Sequence, residues 1–295
     1  MSLGVLNNIA AVYAENNLNA TQANLQNTLE QLSSGSRINS GADDAAGLSI
    51  ADGLGANSAA LTQSAANAHQ GVGLLQVADG ALSQVTNLLN RAITLSTEAS
   101  NGTLSASQDA AANQEFQSIL AEINNIGSTT TFNGNQVFSG TAVTVYSGDA
   151  TATGGATDAL TIAALTSASV GDVGGTITSA GTAISYTVGT GQNLSADVLT
   201  SAAAAQTALT DVNTAITDVA AQRGYVGSQI NTLNAISSVD STEQENVLSA
   251  QNSIKATDYG QATSNLSKYE ILSQTGISAL AQANSVEQEV TKLLQ

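Results

Sequence analysis

The groups in this chain that could do chemistry are few. Asp43 and Asp44 are adjacent carboxylates in a run of small residues, Ser40-Gly41-Ala42-Asp43-Asp44-Ala45-Ala46-Gly47, and paired carboxylates serve general acid–base catalysis when one is held protonated beside a substrate. No histidine or metal-ligating partner stands near them in the sequence. The chain has one histidine and no cysteine, so it offers no His pair for zinc, no thiolate site, no disulfide framework and no serine-hydrolase constellation. His69-Gln70-Gly71 departs from the His-Glu-x-x-His of a protease helix, and His69 reads as a solvated or turn-adjacent side chain. Gly154-Gly155 and Gly174-Gly175 lack the strand–turn–helix setting of a phosphate loop and read as turns. Asn101-Gly102-Thr103 and Asn193-Leu194-Ser195 fit the N-glycan acceptor pattern, a three-residue match of low specificity. The reading is of a protein that is not an enzyme and takes no cofactor or metal.

Charge narrows the partners. Six basic residues stand against 23 acidic ones, a formal charge of −17, and Arg37, Arg91, Arg223, Lys255, Lys268 and Lys292 are too scattered to form a cationic stripe. Neither nucleic acid nor an anionic membrane is expected as a partner. No apolar run approaches the ~20 residues of a membrane helix. Met1–Asn17 lacks the basic start of a secretory signal, so export, if it occurs, is expected by another route.

What must hold these groups is a set of long helices. Tyr269, Leu272, Gly276, Ala279, Ala283, Val286, Val290 and Leu293 alternate at spacings of three and four, a heptad seam. Ile277, Leu280 and Leu294 lie beside it and widen the apolar face, which predicts a helix touching several neighbours. The N-terminal pattern is rougher, with Leu3, Leu6, Ala10 and Tyr13 followed by Leu18, Leu25, Leu29 and Leu32, and the two terminal helices are expected to pair. Leu74, Ala78, Ala81, Val85, Leu88, Ala92, Leu95 and Ala99 form another seam. Ala112, Phe116, Ile119, Ile123 and Ile126 form a shorter one, opened by Ser105 and Gln108 at capping-box spacing. Leu209, Val212, Ile216, Val219, Arg223, Val226, Ile230 and Leu233 repeat the alternation, and polar interruptions carry it to Ile254, a helix of about 50 residues or ~75 Å. Arg223 either pairs with a carboxylate across helices and fixes register or reaches from the seam edge into water.

Between Thr129 and Thr200 the periodicity changes. Asn133-Gly134 and other Gly-rich turns separate short β-branched runs at Thr141–Tyr146, Leu160–Ile162 and Thr176–Val188. Residues 141–200 hold 19 Ser or Thr and no Lys or Arg, which predicts an exposed, hydrophilic, negative surface. The expected fold class is mainly α: a long coiled-coil helical rod formed by both chain ends, with a small strand-rich central insert. With nine aromatics in 295 residues, its seams must be built from small aliphatic side chains.

The segment Leu32-Ser33-Ser34-Gly35-Ser36-Arg37-Ile38-Asn39-Ser40-Gly41-Ala42-Asp43-Asp44-Ala45-Ala46-Gly47-Leu48 resembles the N-terminal signature of bacterial flagellins. Ser100-Asn101-Gly102-Thr103 and Thr131-Phe132-Asn133-Gly134 are similar to that family's later turns. Ala256-Thr257-Asp258-Tyr259, Ser264-Asn265-Leu266-Ser267, Ile271-Leu272 and Leu280-Ala281-Gln282-Ala283-Asn284 resemble its C-terminal helix. The resemblance covers roughly residues 1–140 and 201–295 and leaves the insert unmatched. Ser36, Gly41, Ala42 and the stretch Asn67-Ala68-His69-Gln70-Gly71 depart from the family pattern and bear on local contacts.

The resemblance implies a structural subunit that polymerises with itself into the extracellular flagellar filament for swimming motility. It implies export by the flagellar type III route without a cleaved signal peptide, with an export chaperone, a filament cap and hook-junction proteins as partners. Its layout would be an inner helical domain of 1–40 with 260–295, an outer helical rod of 41–140 with 201–259, and a surface-exposed insert at 141–200. Arg37, Asn39, Asp43, Asp44 and Gly47 would form an assembly loop making intersubunit contacts; the plainer alternative is a solvated loop with helix-capping aspartates. Arg91, Leu95 and Glu115 match positions that contact the vertebrate Toll-like receptor for flagellin, and burial between subunits would equally explain them. Terminal helices apolar on more than one face cannot cover that surface in one copy, so ordering on assembly is expected. A hook–filament junction protein shares such termini. A trimeric coiled-coil adhesin would carry a membrane barrel where the heptads stand; an immune-receptor ligand acting as a free monomer would use the same fold, and an enzyme in the insert would have no His, Lys, Arg or Cys to work with.

Overall fold

The computed structural model describes residues 8–149, 157–173, 175–179, 182–186 and 191–293, with side chains for all of these except 175–179, 182–186, 287 and 289–293. Leu3, Leu6, Gly154-Gly155, Gly174 and Leu294 of the sequence reading lie outside the described residues. In chain order the elements are α1 (Ile9–Ser34), α2 (Ala45–Ser100), α3 (Ala106–Thr129), β1 (Thr131–Phe132), β2 (Asn135–Gln136), β3 (Val143–Tyr146), β4 (Thr157–Leu160), β5 (Gly175–Ser179), β6 (Thr182–Tyr186), α4 (Ala202–Lys255) and α5 (Tyr259–Leu293). The fold is mainly α with a small central strand region, as the seams and the change of period imply.

Polar side chains set the helix starts. Asn8 Oδ1 accepts from Ala11 N at 3.0 Å, Asp44 Oδ1 from Gly47 N at 2.8 Å and Asp258 Oδ1 from Gln261 N at 3.1 Å. Gln108 Oε1 accepts from the Ser105 backbone N–H at 2.9 Å, the capping-box pair expected at that spacing. Each takes up or replaces amide bonds that a first turn leaves without helical partners.

Residues 56–246 form one compact unit, whose core lies between α2, α3 and α4. Six seam positions of α2, Leu74, Ala78, Val85, Ala92, Leu95 and Ala99, are buried, and Leu75, Leu82, Leu89 and Ser96 one residue further on are buried with them. On α4 the buried stripe is Ala205, Ala208, Val212, Ala215, Val219, Gln222, Val226, Gln229 and Leu233. It shares Val212, Val219, Val226 and Leu233 with the sequence seam. Its other column consists of alanines and glutamines, while Ile216 and Ile230 flank it half-buried. Alanine lets the backbone come close to the core, and a long aliphatic reaches in from the side. Arg223 follows the same logic: it sits half-exposed at the edge and makes a bidentate pair with Asp79 of α2, Nε to Oδ1 at 2.8 Å and Nη2 to Oδ2 at 3.3 Å. The carboxylate hydrogen-bonded to it raises the Arg223 pKa. His69, read as a solvated or turn-adjacent side chain, is exposed but stands within α2 and not beside a turn, with Nε2 3.2 Å from Ser237 Oγ.

Phe116, Ile119, Leu120 and Ile123 close the core from α3, and Val137, Phe138, Leu160, Ile162, Leu165, Leu194 and Leu199 from the segment that follows. β1 and β2 form a hairpin through Asn133 (φ 50°) and Gly134 (φ 81°), the two left-handed positions that an Asn-Gly turn supplies. β3-β4-β5-β6 form an antiparallel sheet in chain order. The expected run 176–188 divides into β5 and β6, and within Leu160–Ile162 only Leu160 is in a strand. Ser64 Oγ donates to Asp240 Oδ2 at 2.5 Å and accepts from Gly148 N at 2.8 Å, which fastens the loop after β3 to α2 and α4.

Residues 8–55 and 247–293 lie in the other unit. α1 and α5 run antiparallel: Asn8 Nδ2 donates to Ala283 O at 3.0 Å, Leu18 lies against Gly276, and Thr257 N donates to Gly35 O at 3.1 Å.

Phe116→Ala, which empties a fully buried site, is expected to cost about 3–5 kcal/mol in chemical denaturation. Arg223→Met removes a half-exposed pair and is expected to cost under about 1 kcal/mol.

Candidate functional site

The residues from Gly35 to Asp44 join four helix ends. α1 terminates at Gly35, whose φ of 70° is a left-handed cap and whose N–H donates to Gln31 O at 3.0 Å. Arg37 then meets the C-terminus of α4: its backbone N–H donates to Lys255 O at 2.7 Å and its Nη2 to Ile254 O at 2.8 Å. Those carbonyls carry the negative end of the helix dipole, and a guanidinium satisfies both geometry and charge there. Ser36 and Ala256 form an antiparallel bridge, and Ser36 Oγ lies within bonding distance of Ile38 O at 2.8 Å and Lys255 O at 3.2 Å. Ile38 is buried below them.

The aspartates work inside the chain. Asp43 Oδ2 accepts from Ser40 N at 2.8 Å, Asn39 N at 3.1 Å and Ser40 Oγ at 3.0 Å. Those hydrogen bonds, the Ser40 amide first, hold its carboxyl below the ordinary 3.8. Asn39 Nδ2 donates to Ser36 O at 2.9 Å and completes the turn. Asp44 caps α2, and Gly47 lies so close that a Cβ would touch the Asp44 carboxylate and come within 2.8 Å of Ile38 Cδ1. Arg37, Asn39, Asp43 and Asp44 thus lie in one loop and Gly47 in the first turn of α2 beside it, and the capping alternative describes the contacts of the two aspartates within the chain. The loop is received by Lys255 and by the motif Ala256–Tyr259, where Asp258 three residues before Gln261 is the local helix-start signal.

The pair of α1 and α5 covers one stripe on each helix. On α1 it runs Ala11, Ala14, Leu18, Thr21, Leu25, Thr28 and Leu32, and on α5 Ala262, Leu266, Tyr269, Ser273, Gly276, Leu280 and Ala283, each at alternating steps of three and four. Of the predicted seam, Tyr269, Gly276 and Ala283 lie on this stripe. Leu272, Ala279 and Val286 lie on the exposed side, and the side chains of Val290 and Leu293 are outside those described. Among the described side chains of the two helices only Thr28 of α1 and Ala262 of α5 are buried. Ile9, Val12, Tyr13 and Leu29 on α1, and Ile271, Leu272, Ile277 and Val286 on α5, stand between 40% and 68% exposed. Thr21, Thr28 and Ser273 escaped an apolar-period search because they are polar; Thr21 and Thr28 satisfy their hydroxyls on the carbonyls of Asn17 and Asn24, both at 2.8 Å.

Arg91 and Glu115 pair across α2 and α3, Nε to Oε1 at 2.6 Å and Nη2 to Oε2 at 3.0 Å. The mutual hydrogen bond raises the Arg91 pKa and lowers that of Glu115. Leu95, one turn from Arg91, is 3% exposed and belongs to the core. No group of three or more His, Cys, Asp or Glu able to hold a metal occurs among the described residues, and none of their helices is long and apolar enough to cross a membrane.

Comparison with known proteins gives matches over most of the chain. The family model of the bacterial flagellin N-terminal helical region matches residues 5–143, and that of the C-terminal helical region residues 209–294. Polar flagellin A of Vibrio parahaemolyticus is 30% identical over 376 aligned positions covering all of both chains. A flagellin of Halalkalibacterium halodurans is 31% identical over 289, covering 98% of each. Among solved structures, a crystal structure of Bacillus cereus flagellin aligns with 59% of this chain and 88% of its own at 25% identity and a TM-score of 0.44.

Gly47→Ala is expected to destabilise the 35–44 loop, reversing the usual gain of about 0.5–1 kcal/mol from Gly→Ala within a helix, because the added methyl displaces the Asp44 cap. Asp44→Ala is expected to cost about 1 kcal/mol. Both are read by thermal denaturation followed through helical circular dichroism. Since the Asp43 carboxyl is lowered in the folded chain, its support of the loop is complete above the ordinary value of 3.8 and is lost as pH falls through the lower folded value; the Asp43 titration followed by NMR checks this.

Proposed function

The chain belongs to the bacterial flagellin family, structural proteins and not enzymes, which form the extracellular filament of the flagellum and serve motility, and on that premise we propose that copies of it assemble by covering one another's α1 and α5. The observation that carries the reading is the exposure, among the described side chains, of nine large apolar residues on these two helices, Tyr259 with the eight named above, while the leucines of their shared stripe are only half-buried. Covering the exposed part of each is worth roughly 1 kcal/mol, on the order of 9 kcal/mol per copy, the scale at which association offsets its loss of freedom. The termini order as copies join, because each helix needs neighbours on more than one face.

Residues 1–40 with 260–295 act as the inner filament domain in this reading, 41–140 with 201–259 as the outer rod, and 141–200 as the outward insert. On the resemblance alone we also propose that an export chaperone, a filament cap and hook-junction proteins are partners and that export follows the flagellar type III route. Receptor contact at Arg91, Leu95 and Glu115 stands on the same footing. The burial of Leu95 limits such contact to the exposed Arg91–Glu115 pair.

Purified chain seeded with filament fragments is expected to grow long tubes under electron microscopy, with a gain in helix content. Leu272→Asp and Ile277→Asp, at exposed positions, are expected to block growth while leaving the melting of the 56–246 unit unchanged. Stoichiometric binding to seed ends without extension would favour the junction-protein alternative. Extension by both variants at the parent rate would overturn the proposed interface.

A further inference from the structure

The buried seam between α2 and α4 changes character along its length. On α4, Ala205, Val212, Val219, Val226, Leu233 and Asp240 follow one another at seven-residue steps and all are buried; the first five are apolar and the sixth is an aspartate only 5% exposed. On α2, Ser64, Gly71, Ala78, Val85, Ala92 and Ala99 keep the same step and are buried likewise, with the hydroxyl of Ser64 at the end of an otherwise apolar column. The two exceptions meet. Ser64 Oγ donates to Asp240 Oδ2 at 2.5 Å and accepts from Gly148 N at 2.8 Å. Arg223 with Asp79, His69 with Ser237, and Gln244 with Thr62 also cross between the helices, each with at least one partner half-exposed or exposed. Gln222 and Gln229 are buried on α4, but Gln222 Oε1 and Gln229 Nε2 have no hydrogen-bond partner, so these atoms select no position on α2.

We propose that Ser64 and Asp240 form a register lock, a buried polar layer that selects one alignment of α2 against α4 at the expense of stability. Columns of aliphatic side chains at seven-residue steps match again when one helix slides by seven residues, about 10 Å along its axis. The aliphatic columns by themselves therefore discriminate poorly between alignments one heptad apart. The polar layer does not match again. A slide of seven residues in either direction would set Ser64 opposite Leu233 or Val247 and take the Asp240 carboxyl from its donor while leaving it in the seam. A buried carboxyl without a partner is strongly disfavoured. The Gly148 amide bonds the same hydroxyl, so one layer fixes both the alignment of the helices and the seat of the loop after β3. The cost follows from the same positions: an aliphatic pair there would continue the seam, and such replacement of a buried polar pair is neutral to stabilising when it packs well.

The chain has no cysteine, so Gln84→Cys on α2 and Ser238→Cys on α4, both at exposed positions, give unique sites for nitroxide labels. Their separation in the dilute full chain is read by pulsed dipolar spectroscopy. One distance is expected in the labelled parent, in Asp240→Asn, which keeps an acceptor for Ser64, and in Arg223→Met, which removes only the half-exposed pair. Ser64→Ala combined with Asp240→Leu is expected to show a second population displaced by up to about 10 Å. In urea, Ser64→Ala alone strands the Asp240 carboxyl and the Gly148 N–H and is expected to lower the midpoint of the 56–246 unit by about 0.5–1 M. Adding Asp240→Leu is expected to recover that loss. A single parent distance in the double variant, an equal second population in Arg223→Met, or a double variant no more stable than Ser64→Ala would overturn the proposal.

Discussion

α1 and α5 meet along a stripe in which alanine, threonine, serine and glycine alternate with Leu18, Leu25, Leu32, Leu266, Tyr269 and Leu280, most of it only half-buried. Ala11, Ala14, Thr21 and Thr28 lie on one covered stripe, and Ser273, Gly276 and Ala283 on the other, while Ile9, Tyr13, Ile271 and Ile277 point away from it. A two-helix contact of this composition removes little apolar surface from water, and isolated helices of 26 and 35 residues gain little beyond their own hydrogen bonds. Ile9, Val12, Tyr13, Ile271, Leu272 and Ile277 stand outside that contact, exposed. In the 56–246 unit, by contrast, Phe116, Phe138, Leu75, Leu82 and Leu89 are fully enclosed within the chain itself.

The 35–44 loop fits that constraint. If α1 and α5 gain most of their stability from neighbours, their starting geometry must be set by something other than their own contact. Arg37 on the α4 carbonyls, Asp44 on the α2 amides, Asp258 on the α5 amides and Gly35 at the end of α1 bind four helix ends into one polar junction. Its hydrogen bonds are local and directional, so the junction forms without a large core. This accounts for why so polar a segment, with only Ile38 buried in it, is built so tightly around Gly47.

Much of this was legible from residue spacing. The seams of α2 and α4, the Ser105–Gln108 cap, the Asn133-Gly134 turn and the strand-rich insert all follow from periodicity and turn chemistry. The signature run at Leu32–Leu48 led to the family. Spacing could not tell which column of a widely apolar helix its own chain covers. On α5 the choice fell on Ser273 and Leu280 rather than Leu272 and Ala279, since a heptad pattern records an apolar face but not its partner. On α4 the buried Gln222 and Gln229 were invisible to an apolar search. Leu95 looked like one member of a surface patch with Arg91, yet an i,i+4 neighbour on a helix can face the core while a long arginine reaches water.

The most direct measurement is amide hydrogen exchange of α1 and α5, residue by residue, in dilute unassembled chain and again after seeded assembly. The account predicts exchange within about tenfold of an unstructured peptide across both helices in the dilute chain, and protection rising by about a hundredfold or more in the assembly, while the interior of the 56–246 unit is protected in both. Strong protection of α1 and α5 already in the dilute chain would contradict it, because their apolar faces would then need no second copy.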